Sequence, residues 1–213
     1  FLSLAGILIL FQAVRAGIHW AGWRILQPGA FYSAWDGILS LSMILPALIF
    51  YGALKPSRGA LGLGWSSVGR MERMALSLAG GLLLALLVSS FFLDRSLILS
   101  NLTGVLLTPV LEELLFRGWT WNRLGEMLPA RGKSLACFIL TTGLFAIWQL
   151  GYTDVIALQG WRAAAGAPPL SFILLIKVLV GGAVGLAAGF ARWRSGKVYW
   201  AIIIHGLWTM FTR

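Results

Sequence analysis

Glu112-Glu113-Leu114-Leu115-Phe116-Arg117 lies inside an apolar run, Leu102 to Trp121, that otherwise has the length and hydropathy of a membrane-spanning helix. Two adjacent carboxylates and one guanidinium are therefore expected at the depth of the hydrocarbon. A charge at the centre of a bilayer costs at least about 2.5–3.5 kcal/mol, so such residues usually face a cavity or a partner and serve a function. We expect the fold and the function to be organised around this segment.

The composition of the chain is that of a polytopic membrane protein. Of its 213 residues, 59% are hydrophobic and 11% are charged, whereas soluble domains have about 45–50% and about 25%. Several windows of about 20 apolar residues are long enough to cross about 30 Å of hydrocarbon as helices, and they lack the alternation of barrel strands. We therefore predict an all-α transmembrane helical bundle that forms a single domain over residues 1–213.

About seven spans are predicted, and the motif-bearing, catalytic-like core is expected over residues 102–211. The spans run over about Leu2–Leu26, Gly37–Leu54, Met74–Leu93, Leu102–Trp121, Ser134–Leu150, Leu170–Phe190 and Val198–Phe211. Between the second and third spans, Trp65, Val68 and Met71 predict a short amphipathic connector on the membrane surface. Pro109 predicts a local distortion of the helix that carries the two glutamates.

Other polar and small residues inside the spans are expected to serve packing. Arg15 and His19 are predicted to snorkel or to form an interhelical hydrogen bond, and Lys177 to snorkel or to pair. Gly181, Gly185 and Gly189 recur every four residues in the sixth span. This spacing predicts a close approach of two helix backbones.

The charge of +10 is explained by membrane topology and does not require a nucleic-acid partner. Most Lys and Arg residues fall in alternate loops, which predicts an N-terminus inside the cell and an integral protein of the prokaryotic cytoplasmic membrane. The single cysteine, Cys137, forms no intrachain disulfide and predicts no thiol-based metal site. The chain begins at Phe1, so a removed signal peptide or a further N-terminal span stays open.

The glutamate pair has two different expected roles. Glu113 and Arg117 are four residues apart, so they share a helix face and can pair. Glu112 points about 100° away and is free to take a proton from water. A buried ion-pair cluster that fixes helix register would explain these residues equally well. His205 in the last span, with Thr209 one turn further on, favours a functional site.

Three spaced motifs resemble those of the CAAX-protease and bacteriocin-processing (CPBP, or abortive-infection) family, which are E-E-x-x-x-R, F-x-x-x-H and H-x-x-x-N/B. In this chain they read Glu112-Glu113-x-x-x-Arg117, Phe145-x-x-x-Gln149 and His205-x-x-x-Thr209. The resemblance covers about residues 106–209 and implies a glutamate-dependent intramembrane endopeptidase.

The resemblance also implies a role for each matched residue. Glu112 would be the base, Glu113 its orienting neighbour, Arg117 a structural cation and His205 the donor to the oxyanion. Gln149 and Thr209 complete the predicted catalytic set. We expect four aromatic residues to contact the substrate: Phe116, Phe145, Trp148 and Trp208.

Two positions depart from the family pattern. Gln149 stands where the family has His, and an amide can hold water but cannot titrate. Thr209 stands where the family often has Asn, although its hydroxyl can still donate. His19 and His205 are the only histidines. A zinc site of two histidines and one glutamate would therefore need His19 from a span that carries none of the motifs. We therefore expect neither a metal nor another cofactor.

Three accounts of Gln149 stay open: an engineered substitution, a natural subgroup in which Glu112 alone is the base, and a lapsed protease kept for binding. The leading hypothesis is cleavage of a membrane-associated peptide or protein tail. The alternatives are a non-catalytic peptide-binding or immunity-type component, and a small transporter with the glutamates as proton relay. The absence of a repeat between the two halves disfavours the transporter.

Counting along the spans predicts different depths for the site residues. At about 1.5 Å per residue, Glu112 should lie about 16 Å from the cytoplasmic end of its span, His205 about 10 Å and Gln149 about 22 Å. The sequence does not specify the substrate or the oligomeric state.

Overall fold

The computed structural model describes residues 1–26, 32–94, 98–158 and 168–212, and within these ranges it contains helices and no strand. The helices are α1 Leu2–Leu26, α2 Tyr32–Leu54, α3 Arg70–Leu93, α4 Ile98–Met127, α5 Lys133–Trp148, α6 Thr153–Leu158, α7 Leu170–Ser195 and α8 Tyr199–Phe211. A 3-10 turn, Gln149–Tyr152, joins α5 to α6. The predicted all-α helical bundle is confirmed.

Six segments of the described chain are long and apolar enough to cross a membrane. They are Leu2–Ile25, Asp36–Leu54, Arg70–Leu93, Ile98–Met127, Lys133–Ile156 and Leu170–Ser195. The seventh predicted span corresponds to α8, which has 13 residues. At about 1.5 Å per residue α8 is about 20 Å long, which is shorter than the hydrocarbon layer. The described residues therefore contain six candidate spans and one short apolar helix.

The connector between α2 and α3, residues 55–69, contains a single 3-10 turn, Trp65–Ser67. Trp65 is exposed, whereas Val68, which we expected at the membrane surface, is buried against α3 and α8. Several backbone amides of the connector donate to carbonyls within the connector itself, for example Leu61 to Ser57 at 3.1 Å and Leu63 to Arg58 at 2.9 Å.

The start of α8 rests on this connector. The amide of Val198 donates to the carbonyl of Gly62 at 3.3 Å, and the hydroxyl of Tyr199 donates to the carbonyl of Leu63 at 2.9 Å. Gly62 has a φ of 71°, a conformation that favours glycine. A Cβ at Gly62 would also lie 3.0 Å from the guanidinium of Arg192 in α7. The short α8 thus begins on protein inside the bundle.

Helix α4 is irregular on both sides of the glutamate pair. Two π-helical segments, Leu102–Leu107 and Leu114–Thr120, flank the α-helical segment Thr108–Glu113. Pro109 lies in the first turn of that central segment and has no N–H to donate to the preceding turn, which explains the widening there. The predicted distortion at Pro109 takes this form, and π-helical turns are frequent at functional sites.

Helix α7 packs closely on α5 through its glycines, as predicted. A Cβ at Gly189 would lie 3.0 Å from the ring of Phe138, and a Cβ at Gly185 would lie 3.3 Å from the methyl group of Thr142. The carbonyl of Gly185 accepts a hydrogen bond from the Thr142 hydroxyl at 3.2 Å. Because glycine has no side chain, the α7 backbone can reach the centre of the bundle at these positions.

Helix α8 makes an equally close contact at Gly206. A Cβ there would lie 2.8 Å from the main-chain oxygen of Val105 in α4 and 2.9 Å from a methyl group of Leu83 in α3. Gly206 follows His205 directly, so this contact sets the position of the histidine relative to α4.

We predict that Gly206→Ala destabilises the protein by about 1–3 kcal/mol, because the main-chain oxygen of Val105 cannot move aside for the added methyl group. The control is Gly143→Ala in α5, where nothing lies within 4 Å of the added carbon. That control should be neutral or stabilising by up to about 1 kcal/mol. Unfolding in detergent measures both, and equal stability of the two variants would contradict the packing described for α8.

Candidate functional site

Four of the predicted catalytic residues meet in the middle of the bundle. Glu112, Glu113 and Arg117 of α4 are at most 2% exposed, and His205 of α8 is 7% exposed. Nδ1 of His205 lies 3.0 Å from Oε1 of Glu113, and Nε2 lies 3.9 Å from Oε2 of Glu112. Two acidic side chains and one imidazole thus share a site that excludes most water.

The different depths predicted for Glu112 and His205 are therefore wrong. The count assumed that the last helix begins at the membrane surface, whereas α8 begins on the connector inside the bundle. Gly206, next to His205, accordingly packs beside Leu83, about halfway along α3.

Arg117 binds Glu113 and links α4 to α7. Its Nη1 donates to Oε1 of Glu113 at 3.2 Å, and its Nη2 donates to the carbonyl of Gly185 at 2.9 Å. The guanidinium lies over the ring of Phe145, 4.3 Å from the centroid. Because both charges are buried, each depends on the other to offset the cost of leaving water. The predicted Glu113–Arg117 pair is present.

Glu112 is held by two donors, one within the second motif and one three residues after it. Its Oε1 accepts from Nε1 of Trp148 at 2.7 Å and from the hydroxyl of Tyr152 at 2.6 Å. These short distances are typical of hydrogen bonds to a charged carboxylate. With Oε1 occupied, Oε2 is the oxygen that faces His205.

Sequence analysis missed Tyr152 and assigned Trp148 to substrate contact. Trp148 is 5% exposed and serves Glu112 directly. One signal was available in the sequence, because Trp148 and Tyr152 are four residues apart at the end of a span. Both carry a donor at the tip of an aromatic ring, and such a donor needs a partner when it is buried.

Gln149 and Thr209 lie outside the hydrogen-bonded cluster. Neither of the bonds that Glu112 accepts comes from Gln149, whose side chain packs against Gly181 of α7. The hydroxyl of Thr209 donates to the carbonyl of His205 at 2.6 Å, within its own helix. The role of these two residues in catalysis stays a prediction.

The remaining predicted substrate contacts occupy two different environments. Phe116 and Phe145 are buried and meet edge to face with centroids 5.2 Å apart. Phe145 also lies edge to face with the ring of His205 at 5.6 Å. Trp208 is exposed on the outside of α8. The two phenylalanines pack around Arg117 and His205, and contact of any of the three with substrate stays a prediction.

Polar residues of α1 hold the stretch that carries both donors to Glu112. Arg15 and His19 are fully buried and bind the same carboxylate, Asp154, at 2.6 Å and 3.0 Å. The side-chain amide of Gln12 donates to the carbonyl of Trp148 at 3.0 Å. Of the two expected roles for Arg15 and His19, the structure has the interhelical hydrogen bond and not snorkelling.

The cluster can store and move one proton. With neutral His205 donating from Nδ1 to Glu113, the two glutamates and Arg117 leave a net charge of −1, and the lone pair on Nε2 faces Oε2 of Glu112. One proton added at Nε2 makes the cluster neutral, and electrostatic energies are large where charged groups are buried. Within the described ranges, no group of three or more His, Cys, Asp or Glu side chains is arranged to hold a metal ion.

A protein-family model described as type II CAAX prenyl endopeptidase, Rce1-like, matches residues 94–211. The match covers more than half of the chain, extends from α4 to the end of α8 and includes all three motifs. The core predicted over residues 102–211 lies within it, while α1, α2 and α3 precede it. Comparison with curated proteins and with solved structures finds no match.

We predict that Arg117→Gln destabilises the protein by about 3–5 kcal/mol, because it leaves the Glu113 carboxylate buried without its cation. Arg123→Gln is the matched control, since Arg123 pairs with Glu126 at 2.8 Å where both side chains are exposed. That control should cost at most about 1 kcal/mol. Denaturant unfolding in detergent measures both, and a stability of Arg117→Gln close to the wild type would mean that the buried pair is not needed for the fold.

Proposed function

The chain belongs to the Rce1-like family of type II CAAX prenyl endopeptidases, and from this membership we propose an intramembrane endopeptidase in which Glu112 activates water. The substrate is a membrane-associated peptide or protein tail, and the bond is cut within or near the bilayer. The observation that carries the proposal is the buried pair of facing atoms, Oε2 of Glu112 and Nε2 of His205, 3.9 Å apart. Oε2 of Glu112 is a proton acceptor, and Nε2 of His205 can donate a hydrogen bond when it carries a proton.

The proposed reaction uses these two atoms in turn. Oε2 of Glu112 takes a proton from water while the water oxygen bonds to the scissile carbonyl carbon. The Nε2–H of His205 donates to the oxyanion that forms. Glu112 then gives its proton to the leaving nitrogen as the carbon–nitrogen bond breaks. The products are a carboxylic acid and an amine, and Glu112 is again a carboxylate.

The neighbouring contacts support this division of labour. Trp148 and Tyr152 fix Oε1 of Glu112, so the second oxygen is the reactive one. Glu113 binds Nδ1 of His205, which orients the ring with Nε2 toward the substrate. Arg117 balances the charge of Glu113. We assign Thr209 to support of α8, because its hydroxyl proton is bound to the helix backbone.

The protein is an integral membrane protein. We further propose that the N-terminus lies inside a prokaryotic cytoplasmic membrane, because one end of the bundle is rich in basic residues. That end comprises the connector, the start of α3, the end of α4 and the turn between α7 and α8, and includes Arg58, Arg70, Arg123, Arg194 and Lys197. Cytoplasmic ends of spans carry such an excess of Lys and Arg.

We predict that Glu112→Gln lowers kcat by about 10²–10⁴-fold on a prenylated tail peptide in liposomes, because the amide cannot accept the proton of water. Glu126→Gln is the control, since Glu126 is exposed and plays no part in the proposed site. Thermal unfolding should show that both variants are folded. Cleavage at the wild-type rate by folded Glu112→Gln would remove Glu112 as the base.

One observation favours a second candidate function, which is binding of a membrane peptide without turnover. Gln149 occupies the position where the family resemblance expects His, and it makes no hydrogen bond to Glu112. A homologue without this histidine would bind the peptide and lack the reaction.

We expect the wild type to cleave and Gln149→His to raise its rate by up to about 10²-fold, because an imidazole can exchange a proton with Glu112. Gln149→Asn keeps an amide at this position and should not gain activity. Cleavage and peptide affinity are measured on the same tail. Tight binding without cleavage by all three proteins would favour the binding function.

A further inference from the structure

A polar cavity of about 460 Å³ lies at the basic end of the bundle, between the end of α4, the start of α5 and the end of α7. Its volume is typical of a site for a small ligand. Its lining includes Trp121, Gly125, Glu126, Lys133, Cys137 and Arg192. None of these residues belongs to the three motifs, so the cavity is separate from the glutamates and from His205.

Two cations line the cavity without a carboxylate to balance them. Arg192 is 9% exposed, and its guanidinium donates to the main-chain carbonyl of Arg117 at 2.8 Å and to that of Gly196. Within the part of the chain that the structure describes, neither Arg192 nor Lys133 forms a salt bridge. Burying a charge costs free energy unless the charge is paired. The cavity therefore combines an excess of positive charge with space for a ligand.

The acidic side chain of the lining, Glu126, is bound elsewhere. Its Oε1 accepts from the side-chain amide of Asn122 at 2.8 Å, and its Oε2 pairs with Arg123 at 2.8 Å. Both side chains of that pair are exposed. The pair contributes no net charge to the cavity, and the charges of Lys133 and Arg192 stay available to an anion.

Gly125 of α4 supplies the space in which the Lys133 side chain lies. A Cβ at Gly125 would lie 3.2 Å from Cε and 3.9 Å from Nζ of Lys133, and 3.9 Å from Sγ of Cys137. The stem of the lysine thus packs on the backbone of α4. This packing brings its ammonium group to the cavity that Arg192 lines from α7.

The aromatic residues around the cavity indicate that it lies at the depth of the lipid headgroups. The guanidinium of Arg192 lies over the ring of Trp121, 5.7 Å from the centroid. Nε1 of Trp193 donates at 3.3 Å to the hydroxyl of Ser134, which also lines the cavity. Tryptophan is enriched where a membrane meets water. Lipid headgroups and solutes of the aqueous phase both reach this depth.

We propose that the cavity binds a phosphate group between Lys133 and Arg192, carried by an anionic lipid or by a free phosphate compound. A guanidinium presents several donors to phosphate oxygens, and an ammonium group binds phosphate as a point charge. Basic sites between helices at a membrane surface are known to bind anionic headgroups. Because Arg192 also donates to the Arg117 carbonyl, a bound phosphate should strengthen the contact of α4 with α7.

The test measures the affinity of the full chain in neutral detergent for three probes by titration calorimetry. They are dioctanoyl phosphatidylglycerol, dioctanoylglycerol, which lacks the phosphate, and glycerol phosphate, which lacks the acyl chains. Phosphatidylglycerol should bind at least about 10-fold more tightly than dioctanoylglycerol, as expected for hydrogen bonds between charged groups. Binding of glycerol phosphate would identify a free phosphate as sufficient, whereas binding of phosphatidylglycerol alone would identify a lipid headgroup. Equal affinity for phosphatidylglycerol and dioctanoylglycerol, or no binding of either phosphate compound, would overturn the proposal.

Two matched variants distinguish the cavity from the basic surface around it. Lys133→Met keeps the stem of the side chain and removes its charge, and it should weaken the binding of the phosphate compound by about 10- to 100-fold. Arg131→Met removes an exposed cation two residues away that does not line the cavity, and it should weaken binding by less than about 2-fold. Equal weakening by both variants would show that the whole basic surface attracts the phosphate and would exclude a site in the cavity.

A third variant, Gly125→Leu, keeps both cations and fills the cavity. The phosphate compound at about 100 times its Kd should raise the Tm of the wild type by about 5–10 °C and leave the Tm of Gly125→Leu unchanged. A folded Gly125→Leu protein that keeps the wild-type shift would place the phosphate outside the cavity and contradict the proposal. If Gly125→Leu does not fold, the comparison of Lys133→Met with Arg131→Met decides.

Discussion

The Glu113–Arg117 pair is the contact on which the site depends, because it offsets the cost of burying both side chains. Arg117 also donates to the Gly185 carbonyl of α7, and Glu113 also binds His205 of α8. One ion pair thereby fixes three helices relative to one another. Arg117 can reach the Gly185 carbonyl only if the backbone of α7 lies close to its neighbours. Larger side chains would prevent this, which explains why glycines line the contact of α7 with α5. The ion pair requires the close approach of α7, and that approach places the Gly185 carbonyl within reach of Arg117. The electrostatic and packing contributions to stability therefore depend on each other.

The Glu112 carboxylate is supported from a part of the chain that the family model does not cover. Helix α1 lies before the matched residues 94–211, yet Arg15 and His19 bind Asp154 and so hold the stretch that ends α5 and begins α6. That stretch supplies Trp148 and Tyr152 to Glu112. The orientation of the Glu112 carboxylate thus depends on its two aromatic donors, and the position of those donors depends on the polar residues of α1 behind them.

The sequence is sufficient to predict the helical bundle and to single out four residues that meet in the buried cluster, because charged residues within an apolar run are conspicuous and their spacing indicates a shared helix face. Glu112, Glu113, Arg117 and His205 were recognised in this way. Tyr152 was missed because an aromatic residue at a span end is also the ordinary anchor of a membrane interface. The burial of Val68 is not evident from the sequence, because its partner Ile203 on α8 is distant along the chain. The depth predicted for His205 was wrong for the same reason, because its helix starts on the connector.

The seating of α8 on the connector has a consequence for biogenesis. A helix about 20 Å long is shorter than the hydrocarbon layer, so α8 depends on contacts with the protein around it. Everything that α8 rests on, namely the connector, α3, α4 and α7, precedes it in the order of synthesis. His205 is therefore synthesised after both of the glutamates that its side chain faces. A nascent chain carries these two carboxylates before it contains the imidazole, and the buried cluster is complete only once α8 has been inserted.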